Sequence, residues 1–387
     1  MPRPRKKQED SPEMNLDLLQ QAFVDQSTKK FGEAGIIDTE NNAYGIPLRG
    51  CLPLQYLMGV DVIPLERAFS IVGPTGSYKS LLAWWYLKQF MELGGLAVFL
   101  DVEKKTSWDQ VWALLGQENR NRLIPQNVDF VEDLQDKMGM YAAQYHNMCP
   151  KKDVPFVMAI DSVGALSSIR ALEQLKKEGI TDKGFAAATR AGALTEFFRV
   201  FLPGFFSAAP MCLILVNHQK IGMDGSGGKG IITKHSPGGV HKDYMGTYTI
   251  EMSKSSPKHN VKDSSVDLYM KVLKSSLGRT NLKIKVRVLT EYDEKGVLSR
   301  TYFDWDHALT CMLTDKNTSM SVPEARAIVG LTGDGNKVSS KPLGLQNVTA
   351  QEMGAAIHAN EKMVEELQGV FHVSRKTKFG EPSSKSV

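Results

Sequence analysis

Gly73-Pro-Thr-Gly-Ser-Tyr-Lys79-Ser80 follows the apolar run Ala68 to Val72 and precedes a stretch of helical character, Leu81 to Leu93. A strand, a glycine-bearing loop, Lys-Ser and a helix make an arrangement in which backbone N–H groups and a helix N-terminus hold phosphate oxygens. Gly73, Pro74, Thr75, Gly76, Ser77 and Tyr78 would cradle the phosphates, Lys79 would neutralise them, and Ser80 would give an oxygen to Mg²⁺. The usual pattern has glycine where this chain has Tyr78. Taken alone, the segment also fits an ordinary turn between a strand and a helix.

Three further runs extend the reading: Leu96 to Val102 (LAVFLDV), Phe156 to Ser162 (FVMAIDS) and Met211 to Asn217 (MCLILVN). Each is short, nearly all apolar, and ends in polar residues. In an open α/β sheet the ligand lies outside the carboxyl ends of such strands, so these polar ends should converge on one crevice. Asp101 and Glu103 close the first run, where a carboxylate can activate the water that attacks a terminal phosphate; Glu103 is the candidate base. Asp161, followed by Ser162, stands where an acid holds Mg²⁺ directly or through water. Asn217 and His218 end the third, where a polar side chain can sense the γ-phosphate, although a structural histidine fits equally well. Each feature is common by itself. Four in this order, each at the end of its own strand, point together to ATP and Mg²⁺ as ligands.

The alternation of apolar runs and helical stretches from about Arg49 to Ala308 predicts an α/β core: a mixed, mostly parallel central sheet flanked by helices. Thr247 to Lys254, Val266 to Lys274 and Leu282 to Tyr292 alternate polar with apolar residues and predict antiparallel strands at a half-exposed edge. Residues 1–48 read as an N-terminal arm, suited to oligomerisation, with a short amphipathic helix Met14 to Phe23; Leu16 to Phe23 or the strand near Ile46 could dock on another copy. Residues 49–308 form the core, and 309–387 a small C-terminal helical region. In that region Gly330 to Lys341 reads as a loop, Thr349 to Val370 as one helix, and the end as a disordered tail.

Composition sets the outer limits. With 387 residues, 42% apolar and 23% charged, the chain matches a soluble globular protein. Lys plus Arg (47) exceeds Asp plus Glu (43) so slightly that any nucleic-acid site must be local. Cys51, Cys149, Cys212 and Cys311 lie far apart without zinc-ligand spacing and read as reduced thiols of a cytoplasmic protein. The basic start, MPRPRKKQED, has no apolar stretch behind it, and no run reaches the about eighteen apolar residues of a membrane span. Neither secretion nor membrane insertion is expected.

The series GPTGSYKS, FLDVE, FVMAIDSVGAL and LILVNHQKIG resembles the RecA-type recombinases, and within them the phage UvsX group. In that group an aromatic residue can replace the last loop glycine, and Asn-His can end the third strand. The resemblance covers roughly Gly50 to Tyr292, and QEMGAAIHANEKMVEELQGVF is similar to the C-terminal region of phage members. It implies a RecA-like P-loop ATPase core, a DNA-dependent ATPase that forms helical filaments on single-stranded DNA and catalyses homologous pairing and strand exchange in recombination, repair and replication. Implied partners are single-stranded and homologous duplex DNA, other copies of the chain, and mediator and single-strand-binding proteins, in the host cytoplasm if the chain is phage-encoded.

The resemblance also implies two mobile DNA-binding loops. One is Ile169 to Arg190, with Arg170, Lys176, Lys177, Lys183 and Arg190; the other is Ile221 to Val240, with seven glycines including Gly238 and Gly239, and with Lys229, Lys234 and His235. It places ATP between protomers, reached by Lys274 and, behind it, Lys271 and Arg279 of the neighbour. Where cellular members carry a second lysine two positions on, this chain has Ser276. A ring-forming hexameric helicase with the same core, and a nucleotide-dependent DNA-binding scaffold without turnover, are the alternatives.

Overall fold

The computed structural model describes residues 25, 29, 44–149, 151, 153–178, 183–208, 211–224, 231–235, 246–255, 265–276, 280–295, 298–314, 322–334, 337–373 and 377–378. Residues 1–43 and 44–387 form separate units, and the described site residues all belong to the second. The expected helix Met14 to Phe23 lies outside the described residues.

In chain order the second unit contains β1 (Tyr44–Pro47), α1 (Leu52–Met58), β2 (Val62–Pro64), β3 (Arg67–Gly73), α2 (Lys79–Glu92), β4 (Leu96–Asp101), α3 (Trp108–Leu115), β5 (Leu123–Asn127), α4 (Val131–Met148) and β6 (Phe156–Asp161). Next come α5 (Ile169–Glu178), α6 (Lys183–Glu196), a π-helical turn Phe197–Phe201, α7 (Leu202–Ala208), β7 (Met211–His218), β8 (Lys220–Asp224) and β9 (Ile231–His235). Then follow β10 (Gly246–Lys254), β11 (Ser265–Ser275), β12 (Lys283–Tyr292) and β13 (Leu298–Asp304). The last part holds α8 (Trp305–Thr314), α9 (Val322–Val329), β14 (Leu331–Asp334), β15 (Lys337–Ser340), β16 (Leu345–Val348), α10 (Ala350–His358), α11 (Glu361–Val370) and β17 (Thr377–Lys378).

A nine-stranded sheet in the order β13-β12-β11-β10-β3-β7-β6-β4-β5 forms the frame. Its strands from β10 to β5 are parallel, and β11, β12 and β13 extend it antiparallel. The expected mixed, mostly parallel sheet is therefore present. Its central strands are apolar throughout because both faces are covered. Phe69, Ile71, Phe99, Val157, Ala159, Ile214 and Val216 enter the core on one face, packed with Leu82, Tyr86 and Phe90 of α2. Their strand neighbours Ala68, Val98, Leu100, Met158, Ile160, Leu213 and Leu215 enter the other core, with Leu134 and Met138 of α4. The two-residue period of a strand divides one apolar run between two cores.

Register then fixes where the site lies. Gly73 pairs with His218, Asp161 with Val216, and Asp101 with Asp161. Four strands thus end level with one another.

Away from the core, three expectations change. The segment Thr349 to Val370 is two helices, because Asn360 leaves the helical backbone and its side chain accepts the Met363 N–H at 3.1 Å, starting a new helix. Gly330 to Lys341 is not a loop: β14 and β15 pair from Leu331 with Ser340 to Asp334 with Lys337, and Val338 is fully buried. Ile46, on the strand expected to dock on another copy, is fully buried and pairs with Ile63 of the same chain. Among the described residues no helix is long and apolar enough to cross a membrane, and all four cysteines are free thiols.

Candidate active site

The loop between β3 and α2 is built around a close approach. A Cβ at Gly73 would stand 2.2 Å from the Met252 carbonyl oxygen of β10 and 2.8 Å from the Ser77 hydroxyl, so only glycine fits. Ser77 and Lys79 both donate to the Pro74 carbonyl at 2.8 Å, which draws the loop into a ring. At its end Tyr78 takes the left-handed backbone conformation, φ 61° and ψ 30°, a region that glycine enters without steric cost. Among the described residues the Tyr78 side chain does not cap the first turn of α2, and that turn contains no acidic residue, so its N–H groups suit an anion.

Gly76, Tyr78, Lys79, Ser80, Asp101, Glu103, Asp161 and His218 line one hollow of about 420 Å³. The structure thus brings together the loop, the candidate base, the candidate metal ligand and the candidate sensor. Four more residues join them: Trp84 from α2, Lys105 and Thr106 after β4, and Lys254 from the end of β10. Sequence spacing gives no sign of Lys254; it arrives because β10 pairs in parallel with β3.

The carboxylates have different tasks. Asp101 accepts the backbone N–H groups of Lys104 (2.7 Å) and Thr106 (3.2 Å) and so pins the turn that presents Glu103. One Glu103 oxygen receives His218 Nε2 at 2.7 Å and the Ser162 hydroxyl at 2.9 Å; the other receives Lys105 Nζ at 3.0 Å. Burial works to raise the Glu103 carboxyl, but these three hydrogen bonds outweigh it and hold the group below the ordinary glutamate range. The His218 ring, donating through Nε2, has its Nδ1 buried without a partner among the described residues.

Asp161 accepts a short hydrogen bond from the Ser80 hydroxyl. Burial first, then the charges of Glu103 and Asp101, raise its carboxyl above the ordinary value against the opposing pull of Ser80 and Lys79. Lys79 moves the other way: burial lowers it, and Asp161 and Glu103 only partly restore it. Each charge is therefore under-compensated where it stands. A polyanion against Lys79 and a cation against Asp161 would relieve both. The Ser80 and Asp161 oxygens, which meet in a hydrogen bond, suit a hard cation. This fits Mg²⁺, which takes few protein ligands and completes its shell with phosphate and water.

Beside this hollow lies a second, of about 360 Å³, lined by Tyr78, Ser80, Leu81, Trp84, Gln110, Thr290, Tyr292, Leu298 and Thr301. Tyr78, Ser80 and Trp84 belong to both.

The remaining expected residues lie elsewhere. Lys274 of β11 is level with Thr249 of β10 and Ser70 of β3, before the strand ends, and does not line either hollow. Arg279 lies outside the described residues. In the first expected loop the described residues are helical: Ser168 and Ile169 donate to the Glu132 carboxylate at 2.7 and 3.1 Å and start α5. Arg170, Lys176 and Lys177 are exposed on α5, and Lys183 begins α6. Arg190 is not an open cation, because its guanidinium donates to the Gly164 carbonyl and burial lowers its pKa. Where the second loop was expected, β8 and β9 pair as a hairpin that includes the backbone of Lys234 and His235; Lys229, Gly238 and Gly239 lie outside the described residues.

Strand ends in register bring the loop after β3 and the carboxylates of Glu103 and Asp161 to one hollow of a mixed α/β fold. No model of a known protein family matches the chain. The chain is similar to RecA proteins: 28% identical over 222 residues to that of Citrifermentans bemidjiense, which is 55% of this chain and 59% of the relative. It is 25% identical over 213 residues to that of Clostridium perfringens, 54% of each chain, and 23% identical over 273 residues to that of Petrotoga mobilis, 69% of each. The match thus spans little more than half the length of the first two relatives. With this similarity, the mixed sheet and its flanking helices are a RecA-like α/β core.

Proposed function

We propose that the chain is a DNA-dependent ATPase of the RecA recombinase type, of the phage UvsX group, which forms filaments on single-stranded DNA and promotes homologous pairing and strand exchange. The observation that carries the proposal is the meeting of Lys79, Ser80, Glu103, Asp161 and His218 on one hollow at the level strand ends.

On this reading the loop N–H groups, the start of α2 and Lys79 bind the triphosphate, and the second hollow receives the nucleoside. Ser80 and Asp161 hold Mg²⁺, which supplies charge neutralisation on the phosphate oxygens. Glu103, ionised and fixed by three donors, orients the attacking water and takes its proton. His218 bridges Glu103 to β8, which starts two residues later, so a γ-phosphate that draws the ring off Glu103 would be felt in the β8–β9 hairpin. The exposed cations of α5 and those of β9 follow the DNA backbone without reading sequence. Lys274, which does not line its own protomer's hollows, acts on a neighbour's nucleotide, with Arg279 behind it.

Joint-molecule formation between homologous DNAs, with electron microscopy of the ATP- and DNA-bound protein, tests the proposal. Joint molecules and helical filaments are expected. Rings without joint molecules would make the chain a helicase instead.

A further inference from the structure

We propose that Tyr78 is a specificity-determining residue: its ring, with that of Tyr292, forms the slot in which the planar base of the nucleotide stacks. The inference rests on the nucleotide-site reading above and deepens it, because a loop glycine at this position could play no such part.

Three observations carry it. First, Tyr78 is the loop residue that lines both hollows, so it stands at the junction between phosphate and nucleoside. Second, Tyr78 and Tyr292 line the second hollow, yet among the described residues neither ring packs against another aromatic ring. Trp84 beside them does, with its ring centroid 5.8 Å from that of Phe99. Tyr292 is 58% exposed. Two unstacked rings on one hollow are a platform for a planar group from outside. Third, Tyr78 holds a left-handed backbone conformation, φ 61°, disfavoured for a side chain of this size. A residue held there against its own preference points to a use for its ring. Gln110, Thr290 and Thr301 add polar groups to the same hollow, suited to the edge of a base.

The test compares two probes on the full chain in Mg²⁺: ADP, which carries a base, and inorganic pyrophosphate, which does not. Calorimetry gives the dissociation constant of each for the parent, Tyr78→Gly and Tyr78→Phe, with thermal unfolding confirming that each variant is folded. Tyr78→Gly should weaken ADP about tenfold or more, the scale of one stacked base, while pyrophosphate stays within about twofold; Tyr78→Phe should bind both as the parent does. A parent that binds both probes, with Tyr78→Gly losing neither or both equally, overturns this inference and leaves the nucleotide site standing. A parent that binds neither probe overturns the site and the inference together.

Discussion

His218 Nε2 lies 2.7 Å from a Glu103 carboxylate oxygen although 115 positions separate the two residues. The contact exists because β4 and β7 end level with each other on either side of β6. It ties the group placed to activate water to the group placed to sense phosphate.

The first prediction concerns that carboxylate. Glu103→Gln keeps the shape and the Ser162 contact but cannot take a proton. Steady-state ATP hydrolysis should fall by about 10²-fold or more, while equilibrium nucleotide binding and ATP-dependent DNA binding persist. Loss of binding together with turnover would remove Glu103 from the role of base.

Lys79 gives a contrasting case. It is buried and charged for a polyanion, so Lys79→Ala should weaken nucleotide binding about 100-fold or more, the scale of losing a charge-assisted contact in a partly buried site. DNA binding should no longer respond to ATP in a gel-shift assay.

Asp161 makes a prediction about pH. Its carboxyl is raised in the folded state, so keeping it ionised costs stability above the ordinary aspartate range, and the cost fades as pH falls and the proton binds. Asp161→Asn should therefore raise the ligand-free melting temperature at pH 7 by about 1–2 °C, with a smaller gain near pH 4, while Mg²⁺-dependent nucleotide binding is lost. Glu103 has the opposite sign: its depressed carboxyl adds stability that is complete at neutral pH and disappears only below the ordinary glutamate range. Differential scanning calorimetry across pH checks both.

DNA contacts separate along the first expected loop. Removing the exposed pair, Lys176→Ala with Lys177→Ala, should flatten the salt dependence of single-strand affinity by about 1.4 in log–log slope without lowering stability. Arg190→Ala should instead lower the melting temperature, because its guanidinium is bound to the Gly164 carbonyl. Salt titrations and thermal unfolding distinguish the two behaviours.

A glycine in the C-terminal region reverses a common expectation. Replacing glycine by alanine inside a helix usually stabilises by about 0.5–1 kcal/mol. At Gly354 of α10 the new Cβ would stand 2.0 Å from the Asp306 carbonyl oxygen of α8, so Gly354→Ala should destabilise by about 1–3 kcal/mol in urea unfolding.

The central strands and their polar ends were legible because apolar runs of fixed length, each closed by an acid or amide, carry their own register. Ser80, Glu103, Asp161 and His218 could be read that way. Lys254 and Tyr292 could not: they reach the hollows only because β10 lies beside β3 and β12 lies beyond it, and pairing across the sheet leaves no mark in local spacing. The break at Asn360 was hidden in a segment whose apolar spacing runs on past it, and Val338 gave too little alternation to identify a strand. The resemblance makes Ile169 to Arg190 a loop, whereas Glu132, 37 positions before Ile169, supplies the acceptor that lets α5 begin.

ATP hydrolysis by the full chain with and without single-stranded DNA tests the central claim most directly. Slow turnover alone and at least about tenfold faster turnover with DNA, both dependent on Mg²⁺, are expected if one triphosphate is surrounded by Lys79, Ser80, Glu103, Asp161 and His218. A folded chain that binds no ATP, or that hydrolyses none with DNA present, would contradict it.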